Sequence, residues 1–457
     1  MDTRICQDRL KTLNEKPIND SAKYVLYWMQ QSQRAFYNHA LEHAVEWANE
    51  LGKGLVVAFV LMDDYPDATE RSFAFMLEGL VETGDTLKDR NIKFVMRIGK
   101  PVEVIPELAK EAAVLITDRG YLRHQRQWRK QISMEISNKM VQVETDAIVP
   151  VEVASDKREY AARTIRSKLM DKYKGYLKQI RAQSPTKSSM SYQIKKEDYS
   201  NIDEMLQKIK VDSNVKRSEQ FQGGTTQAKK IFKKFLDQKL SDYDDDRNQP
   251  QKDKVSYMSM YLHFGQISPV WIANQLEKMK SNQNTKAYLE ELLVRRELAI
   301  NFVYYTDNYD DFDCLPDWAQ KTLNKHDSDD RPHQYTRKEL EDGCTHDEVW
   351  NTAMEQMKQT GYLHNYMRMY WGKKILEWSS SSRYAYKTLM YLNNKYFIDG
   401  RDCSSYANVA WVFGLHDRAW QENEVFGKVR SMTRKGLERK FDSTDFIEKV
   451  KSASTRK

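Results

Sequence analysis

The chain has 457 residues, 40% of them hydrophobic and 30% charged, with a net charge of +7. This fits a globular protein of two or three domains, and the mild positive charge permits a polyanionic partner without demanding one. No run of about 18 apolar residues occurs, which argues against a membrane span, and the four cysteines (Cys6, Cys314, Cys344, Cys403) form no CxxC pair, which argues against a metal site. Free thiols and a polar opening, "MDTRICQDRLKTLNEK", without an apolar segment predict no secretory signal and a cytoplasmic or nuclear location.

In chain order, apolar runs suited to strands are "YVLYWM" (24–29), "GLVVAFVLMDD" (54–64), "IKFVMRIG" (92–99), "AAVLITDRG" (112–120) and "MVQVETDAIVP" (140–150). Helical patterns lie between them, such as "QRAFYNHALEHAVEWANE" (33–50). Continuous Val/Ile/Leu runs belong to strands buried on both faces, and strand–helix–strand alternation predicts a parallel sheet. Residues 1–150 therefore read as a Rossmann-like α/β domain, although no GxGxxG follows the first strand. Residues 151–225 read as a linker: "KREYAARTIRSKL" (157–169) is basic and helical, and "RAQSPTKSSMSYQIKKEDYSN" (181–201) has no hydrophobic rhythm. Residues 226–457 read as all-helical. "TQAKKIFKKFLDQKL" (226–240), "KAYLEELLVRRELAINFVYY" (286–305), "HDEVWNTAMEQMKQT" (346–360) and "HNYMRMYWGKKILEW" (364–378) all repeat apolar residues at three- and four-residue spacing.

Seven of the ten tryptophans fall after residue 250. Trp371 and Trp378 are seven residues apart and share a helix face, displaced by about 10 Å at ~1.5 Å per residue. Trp350 lies on the preceding helix, and Gly361 is suited to end that helix. Trp350 and Trp371 are nearly equidistant from this break. An antiparallel hairpin would thus bring them to one level, with axes roughly 8–10 Å apart. Aromatic residues at helical spacing are ordinarily core; the spacing permits an electron path and does not order its last two members.

The segments "VLYWMQQSQRAFYNHAL" (25–41), "REYAARTIR" (158–166), "MSMYLHFGQIS" (258–268), "YLEELLVRRELAINFVYY" (288–305), "MRMYWGKKILEW" (367–378) and "YLNNKYFIDGRDCSSYANVAWVFGLHDRAW" (391–420) occur in this order. Together they resemble the class II cyclobutane pyrimidine dimer photolyases of the photolyase/cryptochrome family. The resemblance runs from about residue 24 to 445. It implies an N-terminal α/β antenna domain, a linker and a helical domain holding FAD noncovalently. It also implies that the fully reduced flavin, excited by light, lends an electron to a flipped-out dimer in UV-damaged DNA, double- or single-stranded, and recovers it when the ring splits.

The same resemblance assigns the site residues. Asn393 faces flavin N5, where an amide can donate or accept. Arg368 and Asp399 form a salt bridge beside the flavin ring, Gly400 permits close backbone approach to the cofactor, and Asp402 lies nearby. Ser256, Met258 and Ser259 lie where phosphate and ribose contacts are expected, with Met260 standing where the family commonly has proline. Tyr243 and Arg296 are further flavin neighbours. Trp371, Trp350 and Trp378, in that order, relay electrons to the flavin. Toward the lesion, Glu291 bonds a dimer base, Met369 lies against the dimer and Trp411 stacks on it. Arg295 occupies a position where some photolyases have a second tryptophan. Arg418 and Arg430 face the DNA, Arg430 filling the gap left by flipping, within the basic stretch "GKVRSMTRKGLERKF" (427–441). A monomer is expected, and the antenna chromophore is unspecified. The rival reading is a cryptochrome-like photoreceptor without repair activity.

Overall fold

The computed structural model describes residues 3–455. The first half is built on six strands: β1 (Leu10–Thr12), β2 (Tyr24–Trp28), β3 (Gly54–Leu61), β4 (Lys93–Ile98), β5 (Ala112–Asp118) and β6 (Lys139–Val143). Their order across the sheet is β1-β6-β5-β2-β3-β4, parallel throughout except for the antiparallel edge strand β1. All residues of β2, β3 and β5 are buried, as strands with both faces covered require. Val25, Tyr27, Val57 and Phe59 join a core with α1 (His39–Glu50) and α2 (Glu70–Asp89). The alternate residues Leu26, Trp28, Val56 and Ala58 pack with α3 (Pro101–Ala109) and α4 (Arg123–Glu135).

Two features depart from the sequence reading. Strand β1 is short and polar and presents no apolar run. The helix expected from residue 33 starts at His39, because the Asn38 side chain accepts the Leu41 N–H at 3.1 Å and caps it. Residues 30–37 bridge loops instead. The Asp118 carboxylate accepts the backbone N–H groups of Gln30, Gln31 and Ser32. Arg34, fully buried, donates to Asp146 at 2.7 Å and to the Gly265 carbonyl at 2.8 Å.

Between the halves, α5 (Ala162–Met170) begins five residues later than the basic pattern suggested. Residues 177–201 form no helix or strand. They are nevertheless fastened to the sheet: Ser189 Oγ donates to Leu55 O at 2.5 Å and accepts from Lys93 N at 2.7 Å. Hydrogen bonds and scattered apolar anchors such as Tyr192, Ile194 and Tyr199 fix this stretch without a hydrophobic rhythm.

The second half is helical: α6 (Thr225–Gln238), α7 (Met258–His263), α8 (Gln283–Leu289), α9 (Arg296–Tyr305), α10 (Glu348–Thr360), α11 (Asn365–Trp378), α12 (Ser382–Tyr396), α13 (Cys403–Val412) and α14 (Ser443–Thr455) are its main members. The run 286–305, read as one helix, is interrupted by a widened π-helical turn over Glu290–Arg295. Such turns splice an extra residue into a helix and often mark functional sites. Helix α10 ends at Gly361, whose φ of +74° is the left-handed conformation expected there. A Cβ at Gly361 would also stand 2.7 Å from Ile398 and 2.8 Å from the Arg71 side chain. That arginine comes from α2. It donates to the carbonyls of Met357 (3.1 Å), Lys358 and Tyr396 (3.0 Å), so the α/β half caps the end of α10. Among the described residues no helix is long and apolar enough to cross a membrane.

Candidate functional site

Helix α11 organises the site. Arg368 holds Asp399 with a two-pronged ion pair, Nη1–Oδ1 at 2.9 Å and Nη2–Oδ2 at 3.1 Å. Its Nε donates to the Leu363 carbonyl at 2.9 Å, and its guanidinium lies 3.8 Å from the Phe397 ring centroid. Asn393 is buried and donates to Asn394 Oδ1 at 3.1 Å. Asn394 is committed elsewhere, donating to Asp67 and accepting the Arg401 N–H. Gly400 serves a different purpose from the one the sequence suggested: a Cβ there would meet the carbonyls of Asn393 at 2.8 Å and Phe397 at 3.0 Å. Its bareness lets the turn fold against the end of α12; no ligand is needed to explain it.

Phe397 leads from this pair to the indoles, with its ring 5.8 Å from Trp371. Trp350 donates its indole N–H to the backbone carbonyl of Trp371 at 3.0 Å, and its ring centroid is 5.6 Å from that of Trp378. Trp350 thus touches both other positions, Trp371 through its backbone carbonyl and Trp378 through its ring. All three are buried. Beyond Trp378, Tyr335 and His346 approach it at 5.7 and 5.0 Å and lead toward the surface.

A second group faces α11 through Tyr362, whose ring is 5.8 Å from the Arg368 guanidinium and 4.9 Å from Tyr257. Tyr288 donates to Ser256 Oγ at 3.0 Å and packs on Tyr243 at 5.3 Å. Met258 is buried at the start of α7, and Ser259 beside it is exposed. Glu291, on the π turn, accepts from Arg247 at 2.6 Å. Arg295 is drawn into an ion pair with Glu290 at 3.3 Å, which Arg166 shares at 2.7 Å. Arg296 reaches the other half, donating to Asp146 O at 2.6 Å. Asp402 caps α13 through the Ser404 N–H at 3.1 Å. Burial opposes its ionisation, but nearby His263 and Arg296 outweigh that and hold its pKa down to about 2. His263 Nδ1, Trp371 Nε1 and His364 Nε2 are buried without a hydrogen-bond partner among the described residues. Burial pushes the His364 pKa down to about 4.

The outer wall is different in kind. Tyr366, Met369, Trp420, Arg430, Thr433 and Leu437 line an open cleft of about 470 Å³. Arg430 stacks on Trp420 at 4.2 Å and lies 5.9 Å from Trp411; Arg418 approaches the Trp420 ring at 5.0 Å. Asp417 accepts from the Trp420 indole N–H at 3.3 Å and stands 3.4 Å from Arg430 Nε. The sequence reading passed over Trp420, Arg247 and Phe397. Trp420 ends a quoted motif and Arg247 lies between two of them, where an aromatic or arginine looks like an ordinary surface residue. Lys373, also passed over, lies behind Trp411.

An α/β sheet joined to a helical half with an indole line and a basic aromatic cleft is the architecture of a known family. Residues 25–186 match the family model described as DNA photolyase. The chain is 43% identical over 444 residues to a deoxyribodipyrimidine photo-lyase of Methanothermobacter thermautotrophicus, covering 97% of this chain and 98% of that protein. Its fold resembles a cryptochrome of Synechocystis (TM-score 0.72, 15% identity, 94% and 88% of the two chains). It also resembles an archaeal photolyase of Sulfolobus tokodaii solved with two FAD molecules (TM-score 0.70, 15% identity, 93% and 89%). The chain belongs to the DNA photolyase family.

Proposed function

We propose that this chain is a light-driven DNA repair lyase that splits cyclobutane pyrimidine dimers, a photolyase of the class II type acting as a monomer. One observation carries this reading: α11 alone presents the Arg368–Asp399 pair, the inner member of the indole line and Met369 on the cleft. The full-length relationship to a deoxyribodipyrimidine photo-lyase supports it. In this reading residues 1–150 form the antenna domain, 151–225 the linker and 226–457 the catalytic domain.

The residues fit a noncovalent FAD. Among the described residues Asp399 Oδ1 is buried with no partner beyond the ion pair, Trp371 Nε1 and His364 Nε2 are buried without hydrogen-bond partners, and Tyr257, Tyr288 and Ser256 lie toward α7 and α8. When bound and reduced, FAD supplies the light-excited electron that opens the cyclobutane ring and is recovered without net redox change. Tyr243, Ser256, Met258, Ser259, Arg296, Asn393 and Asp402 would hold it with the ion pair. Asn393 has an amide able to donate or accept beside the ring. Arg368 keeps the Asp399 charge compensated in a buried place. Trp378, Trp350 and Trp371 carry electrons inward from the surface side.

On the outer wall, Met369 and Trp411 take the dimer, with Glu291 hydrogen-bonding a base and Arg295 at its edge. Arg418 and Arg430 meet the DNA, the latter filling the gap in the stack. A damaged base is less costly to flip out than an intact one. A cavity at the border of the two halves, lined by Trp28, Gln30, Tyr65, Trp128, His263 and Arg401, suits a planar aromatic antenna chromophore. Blue light on the reduced holoenzyme with a dimer-containing oligonucleotide should restore the pyrimidines, while dark and oxidised controls stay inert. Bound dimer left intact by reduced, illuminated enzyme would overturn the reading in favour of a photoreceptor.

A further inference from the structure

Lys373 is fully buried, among the rarest placements for a lysine. An ammonium group leaves water only where strong partners replace it. Here it donates to the carbonyl of Val412 at 2.5 Å. Val412 is the last residue of α13, where unsatisfied carbonyls form the negative end of the helix. The same ammonium stands 5.0 Å from the centroid of the Trp411 indole, close enough for a cation–π attraction. The approach of the two helices is built in: a Cβ on Gly372 would come within 2.8 Å of Val412. One turn earlier on α11, Met369 lines the cleft.

We propose that Lys373 is a positioning residue of the lesion-facing wall: its protonated ammonium group pins the end of α13, and Trp411 with it, in the arrangement that takes the dimer. The inference rests on Trp411 as the lesion-stacking residue, as proposed above. Lys373 has no solvent exposure and so cannot serve as a phosphate contact. Its effect passes through the helix end and the loop that follows, residues 411–417, whose Asp417 in turn meets Arg430 and Trp420.

Charge is what distinguishes this device from apolar packing. The charged groups facing Lys373 are Asp417, from the loop after α13, and Arg430, from the basic segment beyond it. Burial pushes the Lys373 pKa down to about 7, with Asp417 raising it and Arg430 lowering it. Below neutrality the ammonium is charged and holds both the helix end and the indole. Above it the neutral amine can still donate to Val412 but loses both electrostatic attractions. Preference for the lesion should therefore decline as pH rises. His416 and His364, pushed by burial down to about 3 and about 4, have finished titrating below this window.

The test measures Kd of the FAD-loaded holoenzyme for a dimer-containing duplex and for the undamaged duplex at constant ionic strength. The ratio of the two cancels general phosphate contacts. Between about pH 6 and about pH 8.5 the wild-type preference should fall about tenfold, the equivalent of one pKa unit between free and bound states. Lys373→Met should show a low, flat preference, and Lys373→Arg, charged throughout, a high, flat one. A wild-type ratio that does not change with pH overturns the proposal even if neither variant folds, and so does a Lys373→Met protein with the wild-type profile. No preference for the dimer at any pH would instead overturn the functional reading on which it rests.

Discussion

The inner and outer sides of α11 handle charge in opposite ways. On the inner side, Arg368 is neutralised by a two-pronged carboxylate in a largely buried setting. On the outer side, Arg418 and Arg430 rest against the Trp420 indole, and the Arg430 guanidinium also meets a carboxylate, Asp417 at 3.4 Å. A cation paired with a carboxylate is spent; a cation stacked on an aromatic face keeps its charge for a partner. The Arg368 charge is thus compensated within the fold, while Arg418, stacked on Trp420, presents positive charge toward an anion such as the DNA backbone.

The comparison is broken most severely at the indoles. Trp371→Phe should slow photoreduction of FAD by orders of magnitude in transient absorption, yet leave dimer repair by chemically reduced enzyme nearly intact. Normal photoreduction in that variant would remove the relay from the inner side. Next, Asp399→Asn leaves Arg368 buried without its counter-charge and should cost about 3 kcal/mol of stability in urea unfolding, with weakened FAD retention. A loss near zero would mean that the pair is not closed in the sense argued here.

Smaller effects probe the outer side. Trp411→Ala should lose about 1–3 kcal/mol of affinity for dimer DNA, the worth of one stacked base, with little change for undamaged DNA. Equal losses on both would make Trp411 structural. Removing Arg418 or Arg430 should each lower the slope of log K against log salt by about one, without altering FAD content. The smallest effect concerns Asp402. Its folded pKa of about 2 lies below the unfolded value of ~3.9, so its stabilisation is present above about pH 4 and is lost as pH falls toward 2. Asp402→Ala should cost about 1 kcal/mol at neutral pH, as for other helix caps, and flatten the acid limb of the stability curve.

The sequence announced those parts whose residues repeat at a structural period. Strands β2, β3 and β5 were legible because burial on both faces writes an unbroken apolar run. The hairpin of α10 and α11 was legible because Gly361 must take a left-handed turn. What escaped notice was held by polar contacts with distant residues. Strand β1 is a three-residue edge paired with β6, residues 30–37 are fixed by Asp118 and Asp146, and the π turn at Glu290–Arg295 has no compositional mark. In the site, motif resemblance drew attention to Arg368, Asp399 and Trp411. It said nothing of Lys373, since a lysine beside another lysine reads as solvent-facing until the fold shows it enclosed.

The grip of Arg71 on the end of α10 has a consequence for building chimeras. The α/β half and the helical half look like exchangeable modules, yet the helix that carries Trp350 is finished by a side chain from across the boundary. A graft that replaces the first half without supplying this arginine would leave the carbonyls of Met357, Lys358, Gln359 and Tyr396 facing a hole. Transplants within the family should keep Arg71 and Gly361 together as one inherited seam.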